Sequence, residues 1–182
     1  MKATQGGAFV FRDLARCTAR LKGARYDGAV IAAAEWSRQG NDTMFANDAM
    51  PEILVDRHRM MKVRAADASG TLVITMLLGR KAPTVRASED GVLHLAAEAD
   101  GVPGGSVPMA FTTADVRAFV QAVDDTNPLH EGERPLVPGL LIMETVLKRL
   151  DDCKKLSMKF TMPVFAGQKV EMTFAGGNRA GR

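Results

Sequence analysis

Residues 111–130 read FTTADVRAFVQAVDDTNPLH, and the rest of the chain is organised around this stretch. Thr112 or Thr113 can cap a helix, because a hydroxyl oxygen accepts an otherwise orphaned N–H of the first turn. Asp115 then stands where an anion suits the helix dipole. Val116, Phe119, Val120 and Val123 follow at the spacing of one helical face. Asn127-Pro128 stops that helix, since proline donates no N–H and pushes the preceding residue out of helical geometry. At the break, Asp125, Asn127 and His130 bring a carboxylate, an amide and an imidazole within six residues. A loop so placed can aim several polar side chains at one point while its flanking helices hold it still.

Downstream, ERPLVPGLLIMETVL (133–147) starts a second helix near Pro138-Gly139. It is apolar on nearly every side until Lys148 and so should be buried on most faces. Glu144 is the only acid in that apolar part, and burying it is costly without a partner or a chemical role. Two strands follow, Leu156 to Thr161, ended by Pro163, and Lys169 to Phe174 after a turn at Ala166-Gly167. The tail AGGNRAGR (175–182) reads as disordered.

Upstream, the Gly/Pro-rich residues 101–106 read as a linker or wide turn, which sets a boundary at 101–109 between residues 1–100 and 110–175. Phe11 to Leu21 reads as a short basic helix and the alanine-rich Gly28 to Arg38 as another, with Asn41 to Pro51 irregular. Then the period changes. Met60 to Arg64, Thr71 to Leu78 and Val92 to Ala97 form a strand meander, separated by turns at Asp67–Gly70 and Ser88–Gly91. Arg57, Arg59, Lys62 and Arg64 alternate with apolar residues, which marks a strand with one solvated face rather than a nucleic-acid patch. His58 and His94, in the same strand-like region, read as structural or surface residues.

A chain of 182 residues can hold one substantial core or two small domains. Its 46% apolar and 25% charged residues are ordinary for a soluble protein, and a net charge of +3 implies no nucleic-acid partner. No apolar run reaches the roughly 18 to 20 residues of a membrane span. The N-terminus has no apolar core of signal-peptide length, so the expectation is a cytoplasmic protein. Cys17 and Cys153 lie far apart without ligand spacing and read as reduced structural thiols, with no metal site.

The loop chemistry suits addition of water to an activated double bond, or its reverse. A carboxylate and an imidazole can share one water, one accepting its proton while the other delivers a proton to carbon. Charge then builds on the adjacent carbonyl oxygen, and a free N–H at a helix start polarises it. Gly139 allows close approach there because it has no side chain. An Asp-x-Asn-Pro string alone is also a common turn, and its neighbouring histidine could simply cap a helix.

The three blocks FTTADVRAFVQAVDDTNPLH, ERPLVPGLLIMETVL and LSMKFTMPVFAGQKV, in that order over residues 110–170, resemble the MaoC-like, R-specific enoyl-CoA hydratase family. The resemblance implies an α+β hot-dog fold, an antiparallel sheet wrapped around a central helix. It implies Asp125 and His130 as the catalytic pair, Asn127 as the residue that orients them, and Gly139 as the carbonyl-polarising amide. The implied reaction is reversible syn hydration of a trans-2-enoyl thioester to the (R)-3-hydroxyacyl thioester, with no metal or redox cofactor. HEGERPLVPGLLIME (130–144) is similar to 3-hydroxyacyl-carrier-protein dehydratases, which implies Glu144 as a possible additional acid. The implied partners are an acyl-CoA or acyl-carrier-protein thioester and a second copy of the chain, since hot-dog sheets commonly pair edge to edge. A thioesterase and a non-catalytic acyl-binding or assembly subunit are the alternative functions.

The chain departs from the family pattern in three places. The segment between His130 and Glu133 is short, Gly167-Gln168 replaces the usual Gly-Asp, and few residues follow Phe174. The missing closing strands can come from Lys62 to Asp100. Either a circularly permuted single hot dog or a shortened double hot dog accommodates them.

Overall fold

The alternation in Met60–Arg64 and Thr71–Leu78 is that of two neighbouring strands with one buried face. The computed structural model describes residues 6–38, 50–83, 91–100, 104–150 and 152–176. In it β3 (Met60–Asp67) pairs antiparallel with β4 (Gly70–Leu77) through the register Met60↔Leu77 to Asp67↔Gly70. Met61, Val63 and Ala65 of β3 and Leu72, Ile74 and Met76 of β4 are buried, while Arg64 stays exposed. The basic run is not one strand, however: Arg57 ends the preceding strand, Glu52–Arg57, Arg59 lies in the turn, and only Lys62 and Arg64 alternate with buried residues on β3. Asp67 Oδ1 accepts the Ser69 N–H at 2.8 Å and shapes the turn between the strands. Gly70 is required there, because a Cβ would lie 2.6 Å from the Ser37 carbonyl oxygen.

In chain order the remaining elements are α1 (Gly6–Ala19), β1 (Val30–Ser37), β2 (Glu52–Arg57), β5 (Leu93–Ala99), β6 (Gly105–Ala110), α2 (Thr113–Val123), α3 (Gly139–Arg149), β7 (Lys155–Lys159) and β8 (Lys169–Gly176). The eight strands form one sheet ordered β2-β3-β4-β1-β7-β5-β8-β6. All neighbours are antiparallel except β5 and β8, which run parallel, so the sheet is mixed and not the purely antiparallel one expected. A parallel pair needs a long crossover, and here β6, α2, α3 and β7 supply it.

Three expectations from the sequence are corrected. Gly28 to Arg38 is not a helix but the turn before β1 and the strand itself, an interior strand paired with β4 on one side and β7 on the other. Helix propensity of its alanines loses to burial between two neighbours, where Ala34 is fully covered. The 101–109 boundary is not a linker over 105–109, which belong to β6. That strand tolerates Pro108 because it lies at the sheet edge, where a missing N–H is harmless. The strands from Met60 to Ala97 are not one meander either: β3 pairs with β4, but β5 pairs with β7 and β8, separated from β4 by β1 and β7, and β2 forms the other edge. Residues 41–49, 88–90 and 177–182, with the expectations placed on them, lie outside the described residues.

The helices form much as expected. Thr112 caps α2 in a reciprocal box: its hydroxyl accepts the Asp115 N–H at 3.1 Å, and Asp115 accepts the Thr112 N–H at 2.8 Å. Arg16 of α1 donates to the Ala122 carbonyl at 2.8 Å, satisfying the far end of α2. α3 buries Leu140, Leu141, Ile142, Met143, Glu144 and Val146, and its apolar side joins α1, α2 and the sheet in one core.

Candidate functional site

The site is built where α2 ends. Asp124 adopts a left-handed conformation (φ 56°) that turns the chain out of the helix, and Asp125 follows with its N–H still bound to the Val120 carbonyl at 2.9 Å. Asp125 Oδ1 accepts the Asn127 N–H at 2.9 Å, which fixes the carboxylate within its own turn. Asn127 then caps a short 3-10 turn, Pro128–His130. Both ends of its carboxamide are engaged. Oδ1 accepts from Leu129 N–H and Gly28 N–H, both at 3.2 Å, and Nδ2 donates to the Ala29 carbonyl at 2.8 Å. Asn127 therefore staples the loop to the start of β1.

His130 is buried, and its Nδ1 lies 2.7 Å from the Leu136 carbonyl oxygen. A carbonyl only accepts, so Nδ1 carries a proton, and the lone pair of a neutral ring is then on Nε2. It is Nε2 that faces Asp125 Oδ2, at 3.5 Å. That gap is wider than a normal N–H···O hydrogen bond, so both atoms remain within reach of a third group beside them.

The other two sequence blocks close on this pair. Leu136 N–H bonds the Leu129 carbonyl at 2.9 Å, Val137 N–H bonds Val164 at 2.8 Å, and Ala166 N–H bonds Pro135 at 3.0 Å. Buried Gln168 accepts the Phe165 N–H at 2.7 Å through its side-chain oxygen, an acceptor that a carboxylate at this position would also offer. Pro138 starts α3 without a side-chain cap, so the Gly139 N–H at its first turn has no intrahelical partner. A Cβ on Gly139 would meet the Phe160 ring at 3.1 Å, which explains why glycine stands there.

A cavity of about 110 Å³ lies against these residues, lined by Asp125, Asn127, His130 and Gly139 together with apolar side chains such as Val123 and Phe160. Glu144 is not among its lining residues. Its carboxylate is 1% exposed and is held by Arg12, with Nε to Oε1 at 2.7 Å and the second guanidinium nitrogen to Oε2 at 3.3 Å, and by Lys148 at 3.3 Å. Arg12 also lies 6.0 Å from the Phe119 ring centre. Glu144 thus ties α1 to α3, and its burial is explained by partners rather than by chemistry. Four of the five sequence-selected residues converge on one cavity, and the fifth belongs to a helix clamp.

Sequence reasoning missed the groups that hold the site in place: Gly28 N–H, the Ala29 and Leu136 carbonyls, Phe160 behind Gly139, and Arg12. Backbone partners leave no mark in side-chain identity. Gly28 alone carried a usable signal, since its φ of 78° favours glycine before a strand. Burial pushes the Cys17 and Cys153 thiols above their ordinary range, which makes both poor nucleophiles. Among the described residues no group of three His, Cys, Asp or Glu could hold a metal ion, and no helix is long and apolar enough to cross a membrane. No protein-family model, curated protein or solved structure matches the chain.

Proposed function

We propose that the protein hydrates trans-2-enoyl thioesters to (R)-3-hydroxyacyl thioesters, or runs the reverse dehydration, in the cavity beside Asp125 and His130. The observation that carries this reading is the orientation of the pair. His130 spends Nδ1 on Leu136 and turns Nε2 toward Asp125 Oδ2, so with the ring neutral a water beside them finds two acceptors. In hydration, one of the two accepts the water's proton as its oxygen bonds to C3, and that same proton passes on to C2, so the elements of one water are added and the pair is restored. The Gly139 N–H receives the charge that builds on the thioester oxygen. Asn127 orients the loop without touching substrate. No redox cofactor enters the balance, because water adds across the double bond without net oxidation.

The cavity's volume of about 110 Å³ lies well below the roughly 300 to 1,000 Å³ of pockets that enclose larger ligands. It therefore suits a short acyl group, in keeping with the short segment after His130. The fold reading that accompanies this is a hot dog, in its shortened double form. The eight strands, enough for two four-strand halves, support it, with α1 packed on β3 and β4 and α3 on α1 and β1. A homodimer through β2 belongs to the same reading. Met50, Ile53 and Leu54 are exposed at this edge, and antiparallel self-pairing of Glu52–Arg57 sets Glu52 opposite Arg57. Ile53→Lys should then yield a monomer by light scattering, and a wild-type monomer would remove the dimer.

The decisive experiment follows the enoyl-thioester absorbance of purified protein with crotonyl-CoA. Loss of the band that disappears in His130→Ala supports hydration. Release of free thiol identifies thioester hydrolysis instead, and tight binding without turnover identifies a binding subunit.

A further inference from the structure

The sheet gathers positive charge at one end. β1 begins, β4 ends and β3 begins together, as the registers Val30↔Leu77 and Met60↔Leu77 fix. The Leu78 N–H bonds the Arg59 carbonyl at 3.0 Å, so the β2–β3 turn sits beside the segment that leaves β4. Arg59, Arg80 and Lys81 thereby come to one rim, all exposed, and none of them makes an ion pair among the described residues. Between this rim and residues 160–163, which follow β7, lies a second cavity of about 650 Å³. Its walls are largely apolar, including Leu77, Leu78, Pro83 and Met162. Val30, Ile31, Phe160, Met162 and Pro163 line both cavities, so the small cavity with the Asp–His pair and the larger basic-rimmed one share a wall.

A thioester on a biological thiol carrier has this same polarity: a short acyl group, a slim arm of methylenes and amides, and a phosphate at the far end. Guanidinium groups bind phosphate through paired N–H donors, and an ammonium adds a point charge. We infer that the larger cavity seats the carrier arm, with its phosphate on Arg59, Arg80 and Lys81, while the acyl end reaches Asp125 and His130 past Phe160. The inference rests on the thioester reading above and adds the location and charge of the carrier site. Its ligand chemistry is a phosphopantetheine phosphate, whether carried on a nucleotide or on a protein.

The test is calorimetric titration of the full chain with CoA, 4′-phosphopantetheine and pantetheine, which lacks the phosphate. Phosphopantetheine should bind about tenfold or more tightly than pantetheine, as expected for loss of charge-assisted hydrogen bonds. The Arg59→Ala/Arg80→Ala/Lys81→Ala variant should abolish that preference. In the wild type, raising salt from about 0.05 to 0.5 M should weaken phosphopantetheine and leave pantetheine unchanged, a readout that needs no variant. CoA binding more tightly than phosphopantetheine would identify a nucleotide carrier, and equal affinity a protein carrier; both outcomes keep the phosphate site. Equal binding of pantetheine and phosphopantetheine, or a preference that survives in the triple variant, overturns it. Because the titration needs no turnover, its failure leaves hydration at Asp125 and His130 standing. Phosphate preference in a protein inert toward enoyl thioesters would overturn the hydration reading alone.

Discussion

Glu144 and Asp125 are both carboxylates set beside an apolar core, yet Glu144 gives both oxygens to cations while Asp125 keeps one facing a cavity. Glu144 is covered by Arg12 from α1 and Lys148 from its own helix, an arrangement that joins two elements and leaves no acceptor for substrate. Asp125 is 26% exposed, and its own turn holds Oδ1 while Oδ2 points at His130. Burial of an acid is thus a poor guide to its role. What matters is whether its partners exhaust it, because a fully paired ion has nothing left to offer a reactant.

The largest effect that could break this comparison is on turnover. His130→Ala and Asp125→Asn should each lower the rate by about 10²- to 10⁴-fold, the range of a general acid or base. Melting temperatures should stay within a few degrees of wild type, since neither residue clamps helices together. If Glu144→Gln abolished turnover at unchanged stability, the roles assigned to the two carboxylates would have to be exchanged.

Next in size is the clamp. Glu144→Ala leaves Arg12 without its partner and empties a covered site. The loss should be about 3 kcal/mol, the low end for a broken buried pair, because Arg12 is 32% exposed and partly solvated. For a chain of this length that lowers Tm by roughly 6 to 12 °C. The Arg12→Met/Glu144→Met double variant should recover much of it, since an apolar pair needs no desolvation. A double variant no better than Glu144→Ala would show that the packing of the side chain, and not its charge, is what counts.

Asn127→Ala probes the link between loop and sheet. Three hydrogen bonds disappear, and the Gly28 N–H and Ala29 carbonyl lose their partner. Destabilisation of about 1 to 3 kcal/mol is expected, together with a fall in kcat larger than any change in KM, because Asn127 positions the pair without binding substrate. A variant that raises KM alone would place Asn127 in contact with substrate.

These differences show where the sequence was legible. The helix starting at Thr112, the break at Asn127-Pro128 and the buried helix from Gly139 rest on local rules of capping, proline geometry and apolar spacing, and each forms within a residue or so of its expected position. The Asp125, Asn127 and His130 loop was legible for the same reason. β1 was not, because alanines favour a helix locally and only pairing with β4 and β7 overrides them. With β1 went the knowledge of what Asn127 holds. Glu144 was correctly singled out as costly to bury, but besides Lys148 one turn on, its shorter contact is to Arg12, 132 residues away on α1, and no local pattern reveals a contact of that separation.

A third carboxylate calibrates the other two. Asp115 is exposed, and the Thr112 hydroxyl and backbone N–H, donating at 2.7 and 2.8 Å, hold its carboxyl below the usual carboxylate range. A depressed folded-state value means that the stabilisation is present above the ordinary value of 3.8 and is lost as pH falls through the lower folded value. Asp115→Ala should therefore cost about 0.5 to 1 kcal/mol at pH 7, as for an exposed cap in the first turn of a helix. Denaturant titrations at falling pH should show the two proteins converging below about pH 4, where wild-type Asp115 takes up its proton. Part of the gap should survive in acid, because a protonated carboxyl still accepts the Thr112 N–H and the methyl group of the variant cannot. A gap constant from pH 7 to pH 2 would mean that the box acts through neutral hydrogen bonds alone. Turnover should not change at any pH, since Asp115 lies at the opposite end of α2 from the loop that carries Asp125 and His130.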